Sequence, residues 1–595
     1  MVKDFTNKEI SALFKAVSAA YEIKGEDRFH IIAYDRAAAS IESLSSEIKD
    51  LWDNGNLDDV PGIGSSMMSH LDELFKTGKV KHFEDLFKNL PKEMFALLPL
   101  PGIGAKNAFR LSSEFNLDNP KTAVSQLLKL AKDGKIKNLE GFGEQSEKEM
   151  IKNIEQFQLR SDRMLLPEAD MIAQSILTWL RRCPEVLRAE PLGSLRRMVT
   201  TIGDIDIAVA SNSPQKVIQQ FIAYPQKVRI IESGENSASL SVRDGKQIDL
   251  MIQPADSFGA LLQHFTGSKL HNIALREFAL KQGLSLSEYG IKKRMVNGKW
   301  KMVNYSSEEK FYQALGLDWI PPELREGTEE IGLAEKHQLP KLVELSDIKG
   351  DLHLHSNFPI ETSHDEGLNS MEEVVRKARK LNYEYIAFTE HNPSFSQHTK
   401  EEILEILKRK KELVEKLKIS REKRGNNIPI HLYNSLEIDI RPNGDLSIPE
   451  EAFKYLDFAI VSVHSSFNLD KNKMTKRILR ALSHPKALIL GHPTGRKLNQ
   501  REGIELDWDQ IFSFCVSNNK ILEINAWPDR LDLPDNLIKE AVKNGVKMII
   551  NTDSHEISQM DLMTYGVSMA RRGWAQKEDI LNTLSYDKIR KIIQK

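Results

Sequence analysis

The chain has 595 residues but only two cysteines, Cys183 and Cys515, far apart in sequence. That scarcity excludes a disulfide scaffold and a thiolate metal cage, and it suits a reducing cytoplasm. Long apolar runs are also missing. Nothing approaches the roughly eighteen consecutive apolar residues that a membrane-spanning helix needs. The opening MVKDFTNKEISALFK carries no apolar signal region. We therefore expect a cytoplasmic protein with no membrane partner. An excess of either charge is absent too: 83 Lys and Arg stand against 85 Asp and Glu, for a formal net charge of -2. Such a balance does not announce a polyanion ligand, so any nucleic-acid function must rest on motifs.

The length exceeds what one hydrophobic core serves, so about three to five domains are expected. A weak repeat opens the chain. VPGIGSSMMSHL begins at Val60, LPGIGAKNAFRL at Leu100, and a degenerate LEGFGEQSEKEM at Leu139. Each is a glycine turn followed by a helical pattern. From Leu165, segments rich in β-formers appear: LRAEPLGS, DIDIAVA, KVRIIES, SASLSVR and KQIDLMI. The stretch from Gly259 to Leu280 reads as helix around an FTGS turn. PPELREGTEEIGLAEKHQLPKLVEL, from Pro321, is polar and proline-punctuated and reads as a linker. Beyond it, strand and helix alternate, and most strands end in His, Asp or Glu. Repeated β–α units with polar residues at the C-terminal strand ends predict a barrel whose site lies on that face.

Two constellations carry chemistry. In LGSLRRMVTTIGDIDIAVA, Asp204 and Asp206 flank one residue, so both carboxylates project from one strand face. Asp249 in KQIDLMI supplies a third. Three carboxylates suit oxygen-liganded divalent cations, Mg²⁺ or Mn²⁺, which clamp the attacking and leaving oxygens of phosphoryl transfer. Gly193 and Ser194 are placed to cradle phosphates, Arg197 to neutralise them, and Gly203 directly precedes the acidic pair. The second constellation starts at GDLHLHSNF. His353 and His355, two apart on a strand, point the same way. His391, Glu437, His464, His492, Asp553 and His555 follow at later strand ends. Mixed imidazole and carboxylate ligation fits Mn²⁺, Zn²⁺ or Fe²⁺.

The first constellation resembles the nucleotidyltransferase superfamily and, through HFTGSKLHNIALR, the family X DNA polymerases. The resemblance implies that Phe265 and Gly267 contact the incoming dNTP, that His264 replaces the usual tyrosine, and that Asn272 and Arg276 lie along the minor-groove edge. Met251 and Gln247 stand beside Asp249 where relatives carry arginine. PGIG at 61–64 and 101–104 resembles helix-hairpin-helix motifs, in which Gly62, Gly64, Gly102 and Gly104 let backbone N–H groups grip DNA phosphates without reading sequence. Relatives of the first hairpin domain can carry a Schiff-base lysine lyase. Here His70 and Ser66 occupy the lysine positions, so no strong lyase of that type is expected; Lys76 or Lys79 could act only from a different geometry.

The histidine constellation resembles the PHP family, a distorted β/α barrel with a three-metal phosphoesterase site, in the form fused behind bacterial family X polymerases. LEINAWPDRLDLP and YGVSMARRGW also resemble that form. The resemblance implies up to three ions held by His353, His355, His391, Glu437, His464, His492, Asp553 and His555, with Glu437 bridging two and water activated by the ions as nucleophile. Relatives have a compact HSxxSDG; this chain has the longer HSNFPIETSHDEGLNS, in which Asp365 or Glu366 supplies a carboxylate. Counting back from Gly367 favours Glu366. Position 390 is glutamate where relatives usually have aspartate.

The expected architecture is multidomain: a helical hairpin domain (1–85), a second, fingers-like one (86–163), an α+β nucleotidyltransferase palm (164–258), a thumb with the dNTP segment (259–322), a linker (323–346) and the barrel (347–595). The expected function is addition of dNTPs to a primer 3′ end in short DNA gaps by a monomer. The barrel would shorten or clean 3′ ends, in DNA repair. Three readings compete: an RNA-tailing or small-molecule nucleotidyltransferase fused to a phosphatase, a DNA-end scaffold with silent sites, and a DNA-end-binding polymerase whose barrel is only structural.

Overall fold

A computed structural model describes the chain except residues 1–4, 6, 43–47, 54–56, 58, 59, 61, 101, 121, 140, 162, 244, 245, 295–299, 423–429 and 595. Pro61 and Pro101 of the PGIG repeats thus lie outside the described residues. The N-terminal third is helical. Helices Asn7–Lys24, Arg28–Glu42, Ser65–Thr77 and Lys81–Phe87 close on Phe14, Ile41, Leu71 and Phe83. Helices Lys92–Leu97, Ala105–Glu114, Ala123–Lys132 and Glu144–Ser161 enclose a second core around Met94, Leu111, Leu127 and Ile154.

The palm is a five-stranded sheet. Ile205–Ala210 lies between Arg188–Pro191 and Gln247–Gln253, and Ser237–Ser241 and Arg229–Ser233 continue it outward. Ile205–Ala210 and Gln247–Gln253 are parallel, in a register that sets Asp206 opposite Asp249. The thumb follows with helices Phe258–Thr266 and Lys269–Lys281 and a three-stranded sheet.

The segment read as a linker is packed instead. Arg325 and Glu330 are fully buried, and Leu342 and Val343 are buried with them. Two of its charges fold inward because each meets a partner: Arg325 donates to Glu308 at 2.5 Å, and Glu330 meets His271 at 2.7 Å. Charge count alone makes such a segment look solvated; buried pairing overrides it.

The C-terminal half is a ring of parallel strands. Gly350–Leu354, Tyr385–Phe388 and His431–Asn434 form one arc. Glu437–Asp439, Ala459–Ser462, Ala487–Leu490, Ile521–Asn525 and Met548–Asn551 form the other. Strand structure is interrupted at 435–436 between the arcs, and bridges His391 to Glu437 and Leu354 to Ser554 close the ring. Gly350–Leu354, Tyr385–Phe388, Ala459–Ser462, Ile521–Asn525 and Met548–Asn551 are buried throughout, as strands covered on both faces must be. Among the described residues, no helix is long and apolar enough to cross a membrane.

Two candidate active sites and a DNA-binding face

In the palm, Asp206 stands on the strand and Asp204 in the bend just before it. Burial pushes the Asp206 carboxyl up to about 6, and the nearby carboxylates of Asp204 and Asp249 push the same way. A cation would relieve that repulsion. Ser239 donates to Asp249, and Gln247 Nε2 donates to both of its oxygens at 3.0 Å. Gln247 thus holds the Asp249 carboxylate in place. Gly193 has φ +58, and a Cβ there would lie 2.8 Å from Asp206 Oδ2, so only glycine permits this approach.

The FTGS turn closes over the same place. Arg197 Nη1 donates to the Thr266 carbonyl at 2.5 Å, and a Cβ on Gly267 would come within 3.1 Å of that nitrogen. Arg196 is fixed differently, by Glu308 at 2.7 and 2.9 Å and by Thr266 Oγ1 at 2.7 Å. The His264 and Phe265 rings meet edge to face at 4.8 Å. Asn272 Nδ2 donates to the His264 carbonyl at 2.7 Å and so pins that residue. Ser194 is partly exposed beside Gly193, Gly203 sits in the bend before Asp204, and Arg276 points to solvent.

In the barrel, Glu437 lies at the centre of the histidines. Its Oε1 is 2.8 Å from His492 and 3.3 Å from His464. Its Oε2 is 3.1 Å from His391, 3.3 Å from His353 and 3.7 Å from His355. Asp553 Oδ1 approaches His353 and His355 at 3.4 and 3.2 Å. Burial alone would raise Glu437, yet the imidazoles of His391, His353 and His464 hold it well below the usual carboxylate range. His492 and Asp553 both have left-handed backbones, at φ 27° and 56°, a strain that concentrates at functional sites.

The residues fit divalent ions. Buried atoms without a hydrogen-bond partner include His353 Nε2, His355 Nε2, His391 Nδ1, Glu437 Oε2, Asp553 Oδ1 and His555 Nε2. Orphaned buried donors and acceptors are rare, and several aimed at one place suit a cation. Among the described residues, ligand atoms within 4.8 Å of one another form four groups. They are His355, His391 and His555; His353, His355, Glu437 and Asp553; Glu437, His464 and His492; and His364, His391 and His464.

The structure places Asp365, not Glu366, over this cluster. Asp365 is 3.5 Å from His391 Nε2 and 3.4 Å from His555 Nε2. Glu366 turns elsewhere; burial and the Glu361 carboxylate push its pKa up. At Gly367 a Cβ would lie 2.3 Å from the His355 carbonyl, so the loop returns tightly against that strand.

Four contributors were not expected from sequence. Glu523 Oε1 accepts from His353 Nδ1 at 2.7 Å, and its Oε2 accepts the His492 backbone N–H at 2.7 Å. Asp439 holds His464 Nδ1 at 2.7 Å and His364 Nε2 at 2.9 Å. Carboxylates on the far ring nitrogen fix tautomer and orientation of a ligating histidine. His364 comes from the lengthened loop, and its ring lies 4.5 Å from His391 and 4.9 Å from His464. Lys410, fully buried, bonds Glu390 at 2.6 Å and the Phe388 carbonyl, tying down the strand end before His391. The strand ends pointed to the clustered histidines and carboxylates; only the fold reveals these supports.

In the hairpins, Gly62, Gly102 and Gly141 have φ +87, +83 and +82, so even the degenerate third copy makes the same turn. Gly64 and Gly104 precede the helices as extended N-caps, and a Cβ on either would meet nothing within 4 Å. Packing does not require glycine there; the space in front is open. At the lyase position, His70 Nδ1 meets the Tyr34 hydroxyl at 2.7 Å, and Lys76 is paired with Asp72 at 2.9 Å.

Hairpins, a nucleotidyltransferase palm with thumb, and a metal-ligating barrel define a nucleic-acid-processing enzyme of two chemistries. Family models match in the same order: a helix-hairpin-helix domain at residues 5–80, the DNA polymerase beta thumb at 261–326, and the PHP domain at 351–526. The chain is 32% identical over 583 residues to the DNA polymerase/3'-5' exonuclease PolX of Bacillus subtilis, covering 97% of each chain. It is 21% identical to DNA polymerase lambda of Rattus norvegicus over 54% of this chain and 56% of that one. Over 146 residues, 22% of this chain and 57% of the other, it is 35% identical to a probable phosphatase of Clostridium acetobutylicum. The chain belongs to the family X DNA polymerases that carry a PHP domain.

Proposed function

We propose that this chain extends a DNA primer 3′ end from dNTPs in short gaps and shortens or cleans 3′ ends in its barrel, during DNA repair. The observation that carries this reading is the presence of two separate carboxylate-centred sites in one chain, one at Asp206 and Asp249 and one at Glu437. In the palm, Asp204, Asp206 and Asp249 would hold Mg²⁺ or Mn²⁺. Arg197, Ser194 and Gly193 would receive the triphosphate, and His264, Phe265 and Gly267 would face base and sugar. Asn272 steadies His264 in that pose, with Arg276 along the minor-groove edge. In the barrel, His353, His355, Asp365, His391, Glu437, His464, His492, Asp553 and His555 would hold up to three Mn²⁺, Zn²⁺ or Fe²⁺ ions. Bound ions there supply Lewis acidity toward a phosphodiester and lower the pKa of water. Glu523 and Asp439 keep His353 and His464 turned toward that centre. The hairpin glycines hold the duplex by its phosphates.

The same reading takes the protein as a cytoplasmic monomer, consistent with two free, buried cysteines. Incorporation on a one-nucleotide gapped duplex tests it, with dNTPs against NTPs and with elemental analysis of the purified protein. DNA-templated dNTP addition with ions bound in the barrel is the expected result. Preferential ribonucleotide tailing, or a metal-free barrel under metal-replete conditions, would contradict it.

A further inference from the structure

The barrel chemistry leaves YGVSMARRGW (565–574) without a task, although its arginines are strongly engaged. They reach out of the barrel. On helix Met563–Arg572, Arg571 Nε donates to Glu323 at 2.6 Å and its Nη1 to the Val343 carbonyl at 3.1 Å. Arg572 goes further. Its Nε and Nη2 are held by Asp535 of the barrel at 2.9 and 2.6 Å, which fixes the guanidinium plane. Its Nη1 then crosses to the polymerase half, donating to the Arg197 carbonyl at 2.8 Å and to Glu326 Oε1 at 2.9 Å. The same Glu326 oxygen accepts from Arg197 Nε at 3.3 Å. The Arg572 side chain is 7% exposed, so this is a built contact rather than a surface encounter.

We infer that Arg572 is a positioning residue for Arg197: the barrel supplies part of the polymerase's nucleotide pocket. This rests on Arg197 receiving the triphosphate. Two effects act in one direction. Arg572 fixes the backbone of Arg197 and the carboxylate that steers its guanidinium. Arg572 also shares Glu326 Oε1 with Arg197, so that this carboxylate does not claim the Arg197 guanidinium for itself and away from an incoming polyanion. A guanidinium fork can serve both acceptors and its own anchor at once, which a lysine cannot.

Docking of the barrel does not hang on Arg572. Tyr565 bonds Asp170 at 2.9 Å, Lys539 bonds Glu329 at 2.7 Å, and Asn499 bonds the Arg163 carbonyl at 2.8 Å. Removing one arginine should therefore loosen Arg197 without releasing the domain.

The test is a double-mutant cycle in the full-length, metal-loaded protein: wild type, Arg572→Ala, Arg197→Ala and the double variant. Steady-state dNTP addition, primer-template affinity and barrel metal content are measured for each. Arg572→Ala is expected to raise the dNTP KM about tenfold, the scale of one lost charge-assisted hydrogen bond, and to change kcat less. Primer-template affinity and barrel metal content should stay at wild-type values, and Arg572→Lys should recover part of the KM. In the Arg197→Ala background the Arg572→Ala change should have no further effect. A wild-type KM in Arg572→Ala, or effects that multiply in the double variant, would overturn the inference. An unchanged KM in Arg197→Ala would instead overturn the triphosphate assignment. Should Arg572→Ala fold poorly, Glu326→Gln carries the same requirement: a KM change that vanishes in the Arg197→Ala background.

Discussion

At Glu437, itself buried, two carboxylate oxygens face five imidazoles. Neutralising that carboxylate should empty the centre. Glu437→Gln is expected to lose bound metal by elemental analysis and to cut 3′-end shortening more than about a hundredfold, while dNTP addition persists. Residues behind the ligands should matter less. Glu523→Gln or Asp439→Asn is expected to weaken metal affinity about ten- to a hundredfold, read by competition with a chelating dye. Unchanged affinity would make them bystanders. The clustering of these histidines was legible because strand ends in a β/α barrel converge. Glu523 was not, because a buried glutamate inside a strand looks like any other until the ring closes. Counting back from Gly367 favours Glu366, whereas the folded loop, longer than the compact form, sets Asp365 beside His391 and His555.

Elements bring their own tests. The hairpin glycines were legible as a repeat, and their positive φ values explain the residue choice. Open space before Gly104 separates folding from binding. Gly104→Val should cost at most about 1 kcal/mol of stability at the helix cap, yet weaken DNA binding at low salt by blocking phosphate approach. Full DNA affinity in that variant would remove this hairpin from the interface. The thumb is pinned by Glu308, 3% exposed, between Arg196 and Arg325. Burial raises its carboxyl, but the two arginines win and draw it down to about 2. A depressed carboxyl stabilises the fold above its unfolded pKa and loses that contribution as pH falls. Linkage puts the contribution at about 3 kcal/mol, present at neutral pH and lost progressively below about pH 4.5. Trp319, 3.4 Å from Glu308, reports on it. Its fluorescence should show thumb unfolding in wild type only under acid, and in Glu308→Gln already at neutral pH, where two buried arginines lose their counter-charge. The segment read as a linker packs for the same reason: Arg325 and Glu330 fold inward as paired charges.

For the whole molecule, the domain order was readable along the chain, but the contact between barrel and palm was not. Nothing in a linear sequence says that Arg572 meets Arg197 across more than three hundred residues. Metal links stability to function at this scale. Since the folded barrel offers sites that an unfolded chain lacks, chelation should lower its unfolding temperature, and a hundredfold excess of metal over Kd should restore about 3 kcal/mol. A melting curve indifferent to chelator would contradict a metal-built barrel. The central claim is that one chain holds two opposed activities on a 3′ end, each at its own carboxylates. The most direct measurement follows a 5′-labelled primer on a gapped template with Mn²⁺ or Mg²⁺, with and without dNTPs, for wild type, Asp249→Ala and Glu437→Ala. The account predicts lengthening with dNTPs and shortening without them, with Asp249→Ala losing only the first and Glu437→Ala only the second. A primer that never lengthens, or never shortens, or one variant that abolishes both directions, would contradict it.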